Sequence, residues 1–342
     1  MKGRRKMYKD LIVPDGYKPS LDVINTEIAI KEIKDCFEKE LARELNLIRV
    51  SAPLFVRTET GLNDNLNGTE KPVSFDMKYD NSKLEIVHSL AKWKRIALEK
   101  YGFKPGSGLY TDMNAIRPEE ELDNIHSIYV DQWDWELVIE KSQRTEEYLK
   151  DMVRRIYNVF LRVEKYITNI YPQLKKNLPK EIAFITTQEL EDMYPNYTPK
   201  EREYAIAREK KAVFLMKIGD LLNSGKKHDG RAPDYDDWNL NGDIIFWNPI
   251  LNQEIELSSM GIRVDEKALL EQLKKSNCEN RLSLAYHQML INNELPYTIG
   301  GGIGQSRICM FFLNKAHIGE VQASAWPEDM VRSCEMANIF LL

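Results

Sequence analysis

The sequence has no run that approaches the roughly 18 consecutive apolar residues of a membrane span. Its best apolar stretches, IIFW and MFFL, are the size of a strand or a helix start. The basic N-terminus, MKGRRKMYKD, has no apolar segment behind it, so no export signal is expected. Cysteine is scarce: Cys36, Cys278, Cys309 and Cys334 are scattered, with no CxxC pair. They read as reduced thiols, and His88, His126, His228, His287 and His317 lack the spacing of zinc ligands. Excess positive charge is missing as well, since 48 Lys+Arg against 53 Asp+Glu leave a net charge of −5. That balance argues against a broad phosphate-backbone binder. The expectation is a cytoplasmic protein with no nucleic-acid partner and no membrane partner. Neither phosphate-loop signature is complete. In GGGIGQSR, Gln305-Ser306-Arg307 replaces the Gly-Lys-Ser/Thr ending of one, and Arg307 stands where the last glycine of GxGxxG belongs.

What is present describes a globular chain, with 43% hydrophobic and 30% charged residues in 342. Ile24, Ile28, Phe37, Leu41 and Leu45 recur at mostly helical spacing and predict a helix over 21–45. A strand, LIRVSAP, follows and is closed by Pro53. VSFDMKY (73–79) and LEIVHS read as a hairpin, and Ser89 caps a helix through LAKWKRIALEK. Strands are predicted at 109–117 and 126–136, and a long amphipathic helix at 145–170. Thr198-Pro199-Lys200-Glu201 is a capping box with proline at the first helical position. The polar stretch 223–242 reads as a loop, followed by strands at 243–247 and 254–264 and helices at 266–275 and 281–293. The glycine run in TIGGGIGQSRICMFFL reads as a loop feeding a helix. Neither repeats nor a linker interrupt the chain. The expected fold is α+β, a mostly antiparallel sheet flanked by helices in one domain over 20–342, with 1–19 an unassigned extension.

Four segments carry chemistry. Gly300, Gly301, Gly302 and Gly304 bring backbone close to a ligand or to packed structure and set Arg307 in the first turn of a helix. A cation there opposes the helix dipole, so an anion should compensate it, either a triphosphate or a neighbouring carboxylate. In 126–136, period two puts Val130, Gln132, Asp134 and Glu136 on one face and Tyr129, Asp131, Trp133 and Trp135 on the other. Such a strand is an edge strand with a wet face, or the floor of a site that reads amines and carboxylates. ELSSMGIRV (256–264) sets Glu256 and Arg263 seven apart, as a surface ion pair or across room left over a sheet. Arg117-Pro118-Glu119 ends a strand beside the loop PEEELD, which alone reads as solvated.

Taken in order, these segments resemble the catalytic core of class II aminoacyl-tRNA synthetases of the aspartate type. The helix–strand–proline opening at about 21–53 resembles their first motif, a dimer interface. Arg117-Pro118-Glu119 resembles the second, whose arginine grips the α-phosphate and the reacting carboxylate, and GGGIGQSR the third, whose arginine reaches the ATP tail. ELSSMGIR resembles their Glu-Leu-Gly-Gly-Gly-x-Ile-Arg segment, and Gln132-x-Asp134 their Gln-x-Asp. VHSLAKWKR (87–95), VDQWDWE (130–136), RAPDYDDW (231–238) and ELSSMGIR narrow the likeness to the family of ammonia-dependent asparagine synthetases, from about residue 20 to the C-terminus. With the first motif starting near residue 21, no anticodon-binding barrel is expected before it. Lys2 stands where a glutamine-dependent enzyme carries its nucleophilic cysteine, so free ammonia is the expected nitrogen donor.

The resemblance implies ATP-dependent synthesis of L-asparagine from L-aspartate and ammonia through a β-aspartyl-adenylate, releasing AMP and pyrophosphate, by a homodimer. Arg117 would hold the α-phosphate and the reacting carboxylate, Arg307 the phosphate tail and Glu119 the nucleotide. Asp243 and Glu256 would hold Mg²⁺ bridging the phosphates. Aspartate would sit reversed relative to the tRNA enzymes, with Arg263 and Lys94 on its α-carboxylate and Gln132 at its β-carboxyl. Asp64 and Asp134 would take the α-ammonium, or Asp64 would be the base that deprotonates ammonium. Ser89 and Ser259 would add hydrogen bonds. Asp234 would contact or gate the substrate, or else belong to a solvated acidic loop. Two other readings stand beside this one. A paralogue passing aspartate to a tRNA or protein would want a basic docking face, and only short basic runs at 2–6 and 208–211 occur. An inactive regulatory protein would be expected to have lost Arg117, Arg307, Asp243 or Glu256, all of which stand.

Overall fold

The computed structural model describes residues 8–64 and 70–342. Its strands are β1 (Leu47–Arg49), β2 (Phe55–Arg57), β3 (Ser74–Asp76), β4 (Lys83–Ile86), β5 (Gly108–Ile116), β6 (Tyr129–Val138), β7 (Ala183–Thr186), β8 (Ala212–Met216), β9 (Asp236–Asn248), β10 (Gln253–Arg263) and β11 (Thr298–Gly304). Its α-helices are α1 (Val23–Leu45), α2 (Ala91–Lys100), α3 (Glu146–Ile170), α4 (Thr187–Met193), α5 (Pro199–Lys210), α6 (Glu266–Lys275), α7 (Ala285–Ile291), α8 (Gln305–Phe312) and α9 (Glu328–Met336). Eight strands form one sheet in the order β1-β5-β6-β11-β10-β9-β8-β7, antiparallel except at its two outer pairs. Strands β2, β4 and β3 form a small antiparallel sheet that contains the expected hairpin. This is the helix-flanked, mostly antiparallel α+β architecture that the sequence pattern implied. Among the described residues no helix is long and apolar enough to cross a membrane. The basic run 2–6 lies outside the described residues, while Tyr8 and Tyr17 hydrogen-bond to Ser333 and Glu320.

Helix α1 starts where the Asp22 carboxylate accepts the Asn25 N–H at 2.8 Å, and ends at Asn46 in the left-handed region, φ 55°. It buries one row, Ala29, Ile33, Phe37, Leu41 and Leu45. Ile24 and Ile28, expected in the same stripe, are 70% and 50% exposed. They begin a second row one residue out of phase, and 100° of helix rotation turns it away from the core. Helix α3 buries its expected stripe from Leu149 to Ile167. Phe37 stacks on Trp133 at 4.8 Å and meets Phe160 edge-on, and Phe160 meets Phe246 in the same way. The core therefore lies between these helices and the sheet face that carries Trp133 and Trp135. Period two then sends Gln132 and Asp134 to the opposite face.

Two expected loops are strands. The glycine run is β11, an inner strand paired with β6 on one side and β10 on the other. Glycine weakens a strand in general, but here bulk is what the site excludes. A Cβ on Gly300 would meet Glu136 Oε2 at 1.9 Å, and one on Gly302 would meet Gln132 Oε1 at 2.5 Å. Residues 236–242 were expected in a loop because they are polar, yet they open β9. Their polar groups are satisfied inside: Asp236 pairs with Arg263, and the Asn241 side chain bonds both the N–H and the C=O of Ile218. Strand β6 is not an edge strand, being covered by β5 and β11. The helix expected at 281–293 is a 3₁₀ turn, Glu279–Ser283, followed by α7.

Candidate active site

On the sheet face opposite the aromatic core lies a cavity of about 390 Å³. Its floor is an ionic lattice. Arg263 on β10 donates from Nε and Nη2 to the two oxygens of Glu136 on β6, at 2.8 and 2.7 Å, and from Nη1 to Asp236. Thr298 Oγ1 donates to the same Glu136 carboxylate at 2.8 Å. Burial would raise the Glu136 carboxyl, but Arg263, Lys94 and Thr298 together hold it below the ordinary range. Lys94 reaches up from α2 to Asp134 at 3.1 Å and donates to the carbonyls of Trp135 and Gly301. The close passage of β11 that its glycines permit is what makes this carbonyl reachable.

The walls differ from the floor in one respect. Arg117, at the end of β5, has a buried Nε with no partner among the described residues and a 3.9 Å approach to Glu120. Arg307, on the first turn of α8, donates to the carbonyls of Ile125 and Glu256. Both guanidinium groups line the cavity, and among the described residues the nearest carboxylate to either is Glu120, 3.9 Å from Arg117. The anion that the α8 N-terminus required is supplied separately by Asp131, which accepts from the Ser306 N–H and hydroxyl at 3.1 and 2.8 Å. Asp64 accepts a hydrogen bond from the Tyr235 hydroxyl at 3.0 Å, and burial together with the carboxylates of Asp64 and Asp236 keeps that phenol protonated.

Of the residues singled out in the sequence, Asp64, Ser89, Lys94, Arg117, Gln132, Asp134, Glu256, Ser259, Arg263 and Arg307 line this cavity together. Three do not. Glu119 is exposed outside it, because the turn from Arg117 O to Glu120 N presents Glu120 in its place. Asp234 is buried behind the site among Lys92, Arg281 and His287, at 3.7, 2.9 and 3.1 Å, so it is no solvated loop residue. Asp243 stands behind the wall, where Arg231 holds it at 2.6 Å while also donating to Ser259. Burial raises the Asp243 carboxyl to about 7, with Arg231 opposing and the charge of Glu256 adding to the rise. The expected cap, Ser89, stands one residue before the N-cap Leu90, and its Oγ accepts the Ala91 N–H at 3.1 Å. Sequence reasoning missed Arg231, Tyr235 and Asp236 as individual site residues, although the segment 231–238 had drawn notice as a whole. His88 was also missed: it is 1% exposed and lines the cavity with no side-chain hydrogen bond to its ring among the described residues.

The family model described as aspartate-ammonia ligase matches residues 24–338. A protein of Ruminiclostridium cellulolyticum named aspartate–ammonia ligase is 68% identical over 333 residues, covering 97% of this chain and 99% of its own. One of Fusobacterium nucleatum with the same name is 67% identical, covering 96% and 100%. Among solved structures, asparaginyl-tRNA synthetase from Pyrococcus horikoshii complexed with asparaginyl-adenylate superposes with TM-score 0.63 at 14% identity, over 89% of this chain and 70% of that one. Aspartyl-tRNA synthetase from Entamoeba histolytica gives 0.58 at 15% identity, over 87% and 58%. At such identities the likeness shows the shared fold, the class II synthetase catalytic domain.

Proposed function

The chain belongs to the aspartate–ammonia ligase family, and from that membership we propose how its cavity carries out the reaction. The enzyme joins L-aspartate and ammonia into L-asparagine with ATP as the energy source. A carboxylate does not react with ammonia at neutral pH until it carries a good leaving group. In our reading the β-carboxylate oxygen attacks the α-phosphorus of ATP, pyrophosphate leaves, ammonia attacks the acyl carbon of the β-aspartyl-adenylate, and AMP departs. Two anions must meet for the first step, and the observation that carries the reading is the pair of under-neutralised guanidiniums in one cavity. Arg117, with Nε unpartnered among the described residues and a long 3.9 Å approach to Glu120, takes the α-phosphate and the reacting carboxylate, and Arg307 takes the phosphate tail. Glu120, beside Arg117, occupies the nucleotide-facing place expected of Glu119.

Aspartate then lies on the ionic floor. Three of the five N–H donors of Arg263 are engaged by Glu136 and Asp236, which leaves two for the α-carboxylate, with Lys94 beside them. Asp64 and Asp134 receive the α-ammonium, Gln132 faces the β-carboxyl, and Ser89 and Ser259 add hydrogen bonds. Asp234 acts at one remove, anchoring the loop that carries Tyr235.

The donor set fits magnesium. Mg²⁺ takes one or two carboxylates and draws its remaining ligands from phosphate and water. Asp243 and Glu256 would be such a pair, Asp243 exchanging Arg231 for the cation that relieves its repulsion from Glu256. When bound, the ion would neutralise the phosphates. The exposed Ile24 and Ile28 of α1 and Ile48 of β1 lie along the first motif and support a homodimer built on it. Four free cysteines fit a reducing cytoplasm. Incubation with aspartate, MgATP and ammonium tests the reading: asparagine and AMP should appear in equal amounts, and ADP in place of AMP would reject the adenylate route.

A further inference from the structure

Resting on that adenylate reading, we propose that His88 is the base that takes the proton from ammonium, so that free ammonia arises beside the acyl carbon. Four of the five histidines have clear partners: His126 with Asp123, His228 with Glu203, His287 with Asp234, and His317 with the Gly319 N–H. Among the described residues no side chain hydrogen-bonds to either ring nitrogen of His88, which is 1% exposed and has the main chain of Asp64 as its polar neighbour. A buried imidazole with no side-chain partner calls for an explanation, and this one lines the cavity that also holds Asp64, Arg117 and Gln132. Its position is fixed from behind. Asn63 Oδ1 accepts the backbone N–H groups of both His88 and Asp64, at 2.8 and 3.0 Å, locking the two side by side.

Three charged groups face the ring, Arg117 at the end of β5, Glu85 on β4 and Glu70, and the main chain of Asp64 is its hydrogen-bonding neighbour. Burial first, and Arg117 second, hold the imidazole below its ordinary value, so the ring is neutral and offers a lone pair. Asp64 is the weaker candidate, because its carboxylate already accepts from the Tyr235 hydroxyl. The arrangement couples the two half-reactions. The phosphate that Arg117 grips offsets the charge opposing imidazolium, so the ring gains basicity once the adenylate is in place.

The atoms balance. Ammonium gives one proton to His88, and the freed nitrogen lone pair forms the C–N bond to the acyl carbon. The C–O bond to the adenylate breaks with its electron pair on AMP. The tetrahedral nitrogen loses its second excess proton to water, and the imidazolium returns its own to solvent.

The test compares the intact enzyme with His88→Asn and His88→Gln. Both variants should keep aspartate-dependent ATP–pyrophosphate exchange, measured without a nitrogen donor, within about threefold. Synthesis from ammonium should fall by about a hundredfold or more. Hydroxylamine is uncharged at neutral pH and needs no base to free it, so aspartyl hydroxamate should still form at a near wild-type rate. The variants' kcat/KM for total ammonium should climb by about tenfold per pH unit, following the free-ammonia fraction, where the wild type climbs less steeply. Unchanged ammonium turnover, equal loss with hydroxylamine, or loss of exchange in both variants would overturn the role of His88. Absence of exchange in the wild type would instead overturn the adenylate reading beneath it.

Discussion

Gly300 and Glu136 are cross-strand neighbours whose volumes exclude each other: a Cβ on the glycine would stand 1.9 Å from the carboxylate oxygen that Arg263 holds. The glycine is therefore a condition of the ionic floor. Gly300→Ala should push Glu136 off Arg263, lowering stability by about 3 kcal/mol and raising the KM for aspartate. Thermal denaturation and initial rates check both effects, and wild-type values for both would show that Glu136 has room to move.

Arg117 makes no close ion pair, so its removal separates function from stability. Arg117→Ala should reduce ATP–pyrophosphate exchange by roughly 10²–10³-fold, the scale for losing a main oxyanion donor. Unfolding by urea should shift by less than about 1 kcal/mol, since a 3.9 Å contact with Glu120 is worth little. Near-normal exchange would remove Arg117 from the phosphate.

Asp234 should behave in the opposite way. It is the shared anion of Lys92, Arg281 and His287 in a buried setting. Asp234→Ala leaves those groups facing one another and should cost about 3–5 kcal/mol, read from urea unfolding. Unchanged stability with a raised KM for aspartate would assign it to substrate contact.

His317 sets an acid limit on the fold. Burial lowers its pKa from 6.5 to about 4, and its Nδ1 accepts the Gly319 N–H while its ring meets Trp326 edge-on. Between those two values the unfolded chain binds a proton that the native chain does not, so stability rises with pH across that window and is complete above 6.5. The contribution is on the order of 3 kcal/mol. In His317→Asn the slope of stability against pH between 4 and 6.5 should flatten, and an unchanged slope would assign the acid sensitivity elsewhere.

The sequence disclosed most where a local period carried the signal. The stripe of α3 and the capping box at Thr198 were readable because helix geometry repeats every few residues. The alternation of Gln132 and Asp134 with Trp133 and Trp135 told two faces apart. It could not tell that both edges of the strand are paired, because its neighbour β11 is more than 150 residues away. The glycine run read as a loop for the same reason: glycine is locally a turn signal, and the need for it lies in Glu136 and Gln132. Residues 236–242 read as solvated because composition does not report that Arg263 and Ile218 wait for them.

The site was legible through the order of its segments, and it blurred wherever orientation mattered. Past Pro118 no period says whether Glu119 or Glu120 turns inward. Nothing in the residues around Asp243 announces that Arg231 folds over it. His88 stands in a segment that had drawn notice, yet a missing hydrogen-bond partner leaves no trace in a sequence.

The most direct measurement follows oxygen. With L-aspartate labelled with ¹⁸O in the β-carboxylate, one labelled oxygen should appear in the phosphate of AMP, because that oxygen attacks the α-phosphorus and leaves with it. Label in inorganic phosphate beside ADP, or AMP without label, would contradict attack by the β-carboxylate on the α-phosphate held at Arg117.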